Sequence, residues 1–118
     1  MGGAGVITVN SSPTIDSCEF KDMTYGIKCY EASNPTLMDN RMVNISKTPF
    51  NISGSSDPIF TGNSYSNVGW NAVGLIGGDV SQNGTIKKRN VAGFTNITYV
   101  LTETMTIANG TNIDVEPG

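Results

Sequence analysis

Three stretches decide how this chain reads: Ser12-Pro13-Thr14-Ile15-Asp16-Ser17-Cys18-Glu19-Phe20, Asn34-Pro35-Thr36-Leu37-Met38-Asp39-Asn40-Arg41-Met42 and Asp57-Pro58-Ile59-Phe60-Thr61-Gly62-Asn63-Ser64-Tyr65. Their prolines, at 13, 35 and 58, step by 22 and then 23 residues. Laid over one another, the stretches share apolar columns: Ile15, Leu37 and Phe60, then Phe20, Met42 and Tyr65, then Met23, Ile45 and Val68. A period of this length marks a repeat architecture, in which one unit stacks on the next.

Working outward, Ile27-Lys28-Cys29 aligns with Phe50-Asn51-Ile52 and Val73-Gly74-Leu75. The middle residue of each trio is polar or Gly, which is the alternation of a strand. Upstream, Ile7-Thr8-Val9 fits the same slot, so four rungs lie between Val6 and Gly78. The leucine-rich pattern is missing, and a propeller blade needs about forty residues. What remains is an all-β chain, a parallel β-solenoid with three short strands per coil. No coil can bury its apolar face alone, so neighbours stack about 4.8 Å apart. The column Cys18, Asn40, Asn63 falls where a tight turn is expected. Asn tolerates the left-handed backbone there, and stacked Asn side chains can bond to each other along the axis. Cys18 would break that turn ladder in the first coil.

The pattern Ser12-Pro13-Thr14-Ile15, Cys18, Phe20, followed by Tyr25-Gly26-Ile27 and Cys29, resembles the right-handed parallel β-helix repeat of large extracellular proteins. That superfamily includes the pectate lyases. The resemblance covers Val6 to Gly78 and is specific for the fold while nearly silent about activity. It implies a right-handed parallel β-helix of about 4–5 coils of 22–23 residues. The expected organisation is a single domain over 1–118: repeat coils at 6–78, a polar connector at 79–96, and terminal strands or a last coil at 97–118.

The tail Tyr99-Val100-Leu101-Thr102 to Glu116-Pro117-Gly118 also resembles a segment that opens a β-helix stretch. In such proteins Glu-Pro-Gly is followed by a short Val/Ile-rich strand. Gly5-Val6-Ile7-Thr8-Val9 looks like that strand, so either chains stack head to tail or the chain is a segment of a longer β-helix protein. A head-to-tail contact does not close and yields a filament.

Composition narrows the chemistry. Gly, Asn, Thr and Ser supply 51 of the 118 residues, charged residues are 14%, and His is absent. Such a mix disfavours a helical bundle, and the low charge disfavours a disordered acidic chain. A net charge of −3 without a basic cluster points away from nucleic acid. No run of 18 apolar residues exists, so no membrane insertion is expected. No signal peptide is visible at the start. Asn44, Asn51, Asn83, Asn96 and Asn109 head Asn-x-Ser/Thr sequons, candidates for N-glycosylation and consistent with an extracellular or cell-surface location. Asn10 heads a sixth, weakened by Pro13. Cys18 and Cys29 could form a disulfide or stay two buried thiols.

The absence of His removes the commonest general base and metal ligand. Asp16 aligns with Met38 and Thr61, and Glu19 with Arg41 and Ser64, so no acidic column forms. No catalytic site, metal or cofactor is therefore expected. Lys87-Lys88-Arg89 reads as a solvated loop, or one that meets an acidic surface. Tyr25, Lys47 and Trp70 occupy nearly one column; they either pack a coil corner or stack on sugar rings. The sequence is therefore read as a non-catalytic extracellular structural module that associates end to end. A carbohydrate-binding segment of an adhesin or a polysaccharide-processing enzyme is the alternative, with cell-surface glycans as its partner.

Overall fold

The computed structural model describes residues 4–80, 83–101 and 104–116. The first coil runs through β1 (Ala4–Val9), β2 (Thr14–Asp16) and β3 (Glu19–Met23). The second comprises β4 (Tyr25–Tyr30), β5 (Thr36–Met38) and β6 (Arg41–Ile45), and the third β7 (Phe50–Ile52), β8 (Ile59–Thr61) and β9 (Ser64–Ser66). Then follow β10 (Ala72–Leu75), β11 (Gly78–Val80), β12 (Gly84–Ile86), β13 (Thr98–Leu101), β14 (Met105–Ile107) and β15 (Ile113–Val115). Each strand pairs in parallel with its counterpart one coil on. One sheet carries β1-β4-β7-β10-β13, a second β2-β5-β8, and a third β3-β6-β9. The parallel β-solenoid expected from the repeat is thus the fold.

The register follows the sequence columns. Ile15 faces Leu37 and Leu37 faces Phe60. Phe20, Met42 and Tyr65 line up, as do Ile27, Phe50 and Val73. Their side chains fill the interior: Ile27, Leu37, Met42, Ile45, Phe50, Ile52 and Val73 are all fully buried. Phe50 packs edge-on to Phe60 at 5.0 Å and lies 5.9 Å from Tyr65. Such aromatic pairs add about 1 kcal/mol beyond area burial.

Three corrections to the expected pattern are physical. First, β1 is shifted by one residue. Val6, not Ile7, pairs with Ile27, and Thr8 pairs with Cys29. A one-residue slip exchanges the two faces of a strand. Thr8 is therefore 4% exposed, while Ile7 and Val9 stand out at 56% and 54%.

Second, the left-handed corner residue is one position earlier than the Asn column. Ser17, Asp39 and Gly62 take φ of 56°, 52° and 68°. A second corner repeats the device with Asp22, Asn44 and Asn67 at 58°, 53° and 53°. Freed from the turn itself, Asn40 and Asn63 point inward and are buried. They bond to backbone rather than to each other. Cys18 N donates to Asn40 Oδ1 at 3.0 Å, and Asn40 Nδ2 donates to Ile15 O at 2.9 Å. One coil on, Asn40 N donates to Asn63 Oδ1 at 3.0 Å and Asn63 Nδ2 to Leu37 O at 2.9 Å. Each amide thus satisfies two backbone groups of the preceding coil. Side chain-to-side chain stacking occurs instead at the exposed corner, where Asn44 Nδ2 donates to Asp22 Oδ1 and Asn67 Nδ2 to Asn44 Oδ1.

Third, residues 79–96 are more than a connector. They contain most of β11 and all of β12, which leave the second and third sheets and pair with β14 and β15 instead. The span from Val73 to its partner Tyr99 is longer than the earlier coils. The extra chain lies along β8 and β9, anchored by buried Val91 and Ile97.

Replacing Asn40 by Ala leaves two backbone groups without partners, so urea denaturation should show a loss of about 2 kcal/mol. Cys18→Ser, in the same column but exposed, should change stability by less than about 0.5 kcal/mol.

Candidate functional site

The outward face of the first sheet reads Ile7, Lys28, Asn51, Gly74 and Val100 across its five strands. Beside it lies a groove of about 260 Å³ lined by Tyr25, Lys47, Thr48, Trp70, Val100 and Leu101. The structure thus brings Tyr25, Lys47 and Trp70 together, as their shared column suggested. Thr48, in the floor, is held from behind by polar contacts to Asn51. Thr48 Oγ1 donates to Asn51 Oδ1, and Asn51 Nδ2 donates to Thr48 O at 2.9 Å. A Cβ on Gly74 would collide with both Asn51 Oδ1 and Thr48 Oγ1; only glycine leaves the amide room to lie flat. Lys28 Nζ sits 4.2 Å from the centre of the Tyr25 ring, a cation–π contact that holds the ring in place. Trp70 remains 52% exposed, with its ring available. Two aromatic rings and the Lys47 ammonium suit a ligand with apolar C–H faces and polar edges. None of the six lining residues is a carboxylate.

The floor also corrects one glycosylation candidate. Asn51 is 1% exposed and its amide is fully engaged, so it is closed to modification. Asn44, Asn83, Asn96 and Asn109 are exposed. The cysteines are both free: Cys18 is exposed at the corner between β2 and β3, whereas Cys29 is buried in β4. The possible disulfide is not formed, because the residues sit on different faces of successive coils, and of the two thiols only Cys29 is buried. Cys18 Sγ donates to Asp16 O at 3.3 Å. Burial pushes the Cys29 thiol up to about 11. Among the described residues no cluster of three His, Cys, Asp or Glu side chains could hold a metal.

The basic triplet is not simply solvated. In the repeat, Thr36 N donates to Pro13 O, and Ile59 N to Pro35 O, each bond joining one coil to the next. At Pro58 the backbone donor is replaced by a side chain: Arg89 Nη1 donates to Pro58 O at 3.0 Å. Arg89 Nη2 pairs with Asp57 at 2.9 Å, and Lys87 Nζ with its other oxygen at 2.6 Å. Arg89 Nε donates to the Tyr99 hydroxyl, which itself donates to Lys87 O at 2.6 Å. The Arg89 side chain is 9% exposed and lies over the Phe60 ring. Its guanidinium thus takes the acceptor just ahead of β8, while Ile59 of that strand stays exposed. The composition of the triplet gave no sign of this; the signal lies in Asp57, the column mate of Ser12 and Asn34, whose carboxylate has no coil of its own kind to meet.

A family model described as the right handed beta helix region matches residues 1–113. No curated protein and no solved structure gave a significant match.

Burial tends to raise the Asp57 pKa, but hydrogen bonds and charge from Lys87 and Arg89 outweigh it and hold the carboxyl below its usual range. A depressed folded-state pKa contributes stability that is present above the unfolded value of about 4 and is lost as pH falls through the folded one. Acid unfolding of Asp57→Asn should therefore lack part of the wild-type fall in stability below about pH 4. Equal pH profiles would overturn the assignment.

Proposed function

The chain belongs to the right-handed β-helix family, and on that premise we propose that it is a non-catalytic structural module of a secreted or surface protein, associating end to end. The observation that carries this reading is that six of the eight large exposed apolar side chains among the described residues lie on outermost strands, Trp70 and Phe94 being the two in loops. Ile7 and Val9 sit on β1, Ile59 on β8, Leu101 on β13, Ile107 on β14 and Val115 on β15. Each of these strands is an outermost member of its sheet. An edge strand offers unpaired N–H and C=O groups, and an apolar one is a template for further strands. Polar caps ordinarily cover solenoid ends; among the described residues, the outermost strands carry Ile, Val and Leu. The exposed sequons Asn44, Asn83, Asn96 and Asn109 favour an extracellular setting.

Sedimentation velocity over a hundredfold concentration range, with negative-stain micrographs, should show concentration-dependent linear polymers. A single monomeric species throughout would overturn the reading.

The aromatic groove favours a second reading, in which the module holds carbohydrate on its outward face. Tyr25 and Trp70 would stack on sugar rings and Lys47 would meet a polar edge. On a glycan array, Trp70→Ala should reduce binding at least tenfold, since a stacked aromatic contributes about 1.5 kcal/mol. No binding by the wild-type chain would remove this reading.

A further inference from the structure

The end-to-end reading leaves open which strands meet. We infer that the joint is a head-to-tail continuation of the first sheet, in which β1 of a second copy adds in parallel to the free edge of β13. This rests on the end-to-end reading and specifies its partner and register.

Three observations lead there. First, the outward column of that sheet is Ile7, Lys28, Asn51, Gly74, Val100. It is apolar only at its two terminal members, the positions that become neighbours when one copy follows another. Second, all four ladders of this sheet are parallel. The outer edge of β13 therefore presents the same hydrogen-bonding set that β10 presents to β13, and β1 carries its complement. Antiparallel joining of two β1 edges would abandon the geometry that every other ladder uses. Third, at the β8 edge the Arg89 guanidinium already occupies Pro58 O and Asp57. That takes the first acceptor a further strand beside β8 would use, which favours the first sheet over the second for growth. On β1, the one-residue slip that turned Ile7 and Val9 outward made this possible.

Extending the register fixes the pairs. Val73 faces Tyr99 and Gly74 faces Val100, while Val6 faces Ile27 and Ile7 faces Lys28. Continuity of the columns then puts Tyr99 beside Val6 of the second copy, Val100 beside Ile7, and Leu101 beside Thr8. Leu101, now largely exposed, would be covered along with Ile7. The contact is heterologous, so it propagates.

Two proteins test the joint, Ile7→Cys and Val100→Cys, each in a Cys18→Ser background that leaves buried Cys29 as the only other thiol. Neighbouring parallel strands place paired Cα atoms about 4.8 Å apart, within the range a disulfide spans. Mixed and mildly oxidised with copper phenanthroline, the two proteins should yield mostly the mixed disulfide dimer on a non-reducing gel. Oxidised alone, each should stay largely uncrosslinked, and Ile7→Ser should weaken polymerisation at least tenfold. Preferential self-crosslinking of either protein overturns the polarity. Polymers without the mixed crosslink overturn this joint while leaving end-to-end association standing. Monomers throughout remove both.

Discussion

Everything in this chain answers to one constraint: a coil must present to the next the same hydrogen-bonding groups and side-chain sizes, about 4.8 Å further along. Buried backbone groups cannot go unpaired, and no single coil encloses an interior. Identity of side chain is thus dictated column by column. Leu37 lies between Ile15 and Phe60, and Met42 between Phe20 and Tyr65, because each must fill the layer above and below. The buried amides of Asn40 and Asn63 obey the same rule. Each closes the corner of the coil before it, so the ladder is a chain of dependencies along the axis. Cys18 stands at the first coil, where no described coil precedes it and an inward amide would have no such partner.

Columns dictated by stacking were legible in the sequence for this reason. The prolines at 13, 35 and 58 and the apolar trios gave the register of three coils residue by residue. What could not be read lay where stacking constrains least. On β1, Ile7-Thr8-Val9 alternates as the other trios do and Val6-Ile7-Thr8 does not, yet the structure takes the second, with Thr8 buried beside Cys29. At the corners, Asp39 and Asn40 are both tolerant of left-handed backbone, so composition could not say which would bend and which would turn inward. Beyond Leu75 the coil lengthens, and the alignment of Val73-Gly74-Leu75 with Tyr99-Val100-Leu101 was hidden by the change of period. The groove suffered accordingly: Tyr25, Lys47 and Trp70 were visible in advance, while Thr48, Val100 and Leu101 were not.

The longer coil shows how a solenoid can stop part of its cross-section. From Gly78 the strands leave the second and third sheets, which would expose the edges of β8 and β9. Chain from 87 to 97 returns across them, with Val91 in the interior and Phe94 against Tyr65. A guanidinium then does what a backbone N–H did in earlier coils. Burying that charge would be costly alone. It is tolerated because Asp57, Pro58 O and the Tyr99 hydroxyl together satisfy all three sides of the planar fork.

That closure has a consequence for the two functional readings. The groove reaches Val100 and Leu101 on β13, the edge at which a further strand would add. A second copy seated there would set its Ile7 beside Val100 and lengthen the groove wall without touching Tyr25 or Trp70. Stacking and ligand binding would then share a wall rather than compete for a surface. Any affinity for a ligand longer than one chain's groove would rise with assembly, because each added copy aligns a further set of sites along the same axis. A solenoid whose sheet is continuous through its joints is a natural way to repeat a weak site at a fixed spacing, and the rigidity of the parallel sheet would keep those sites in line.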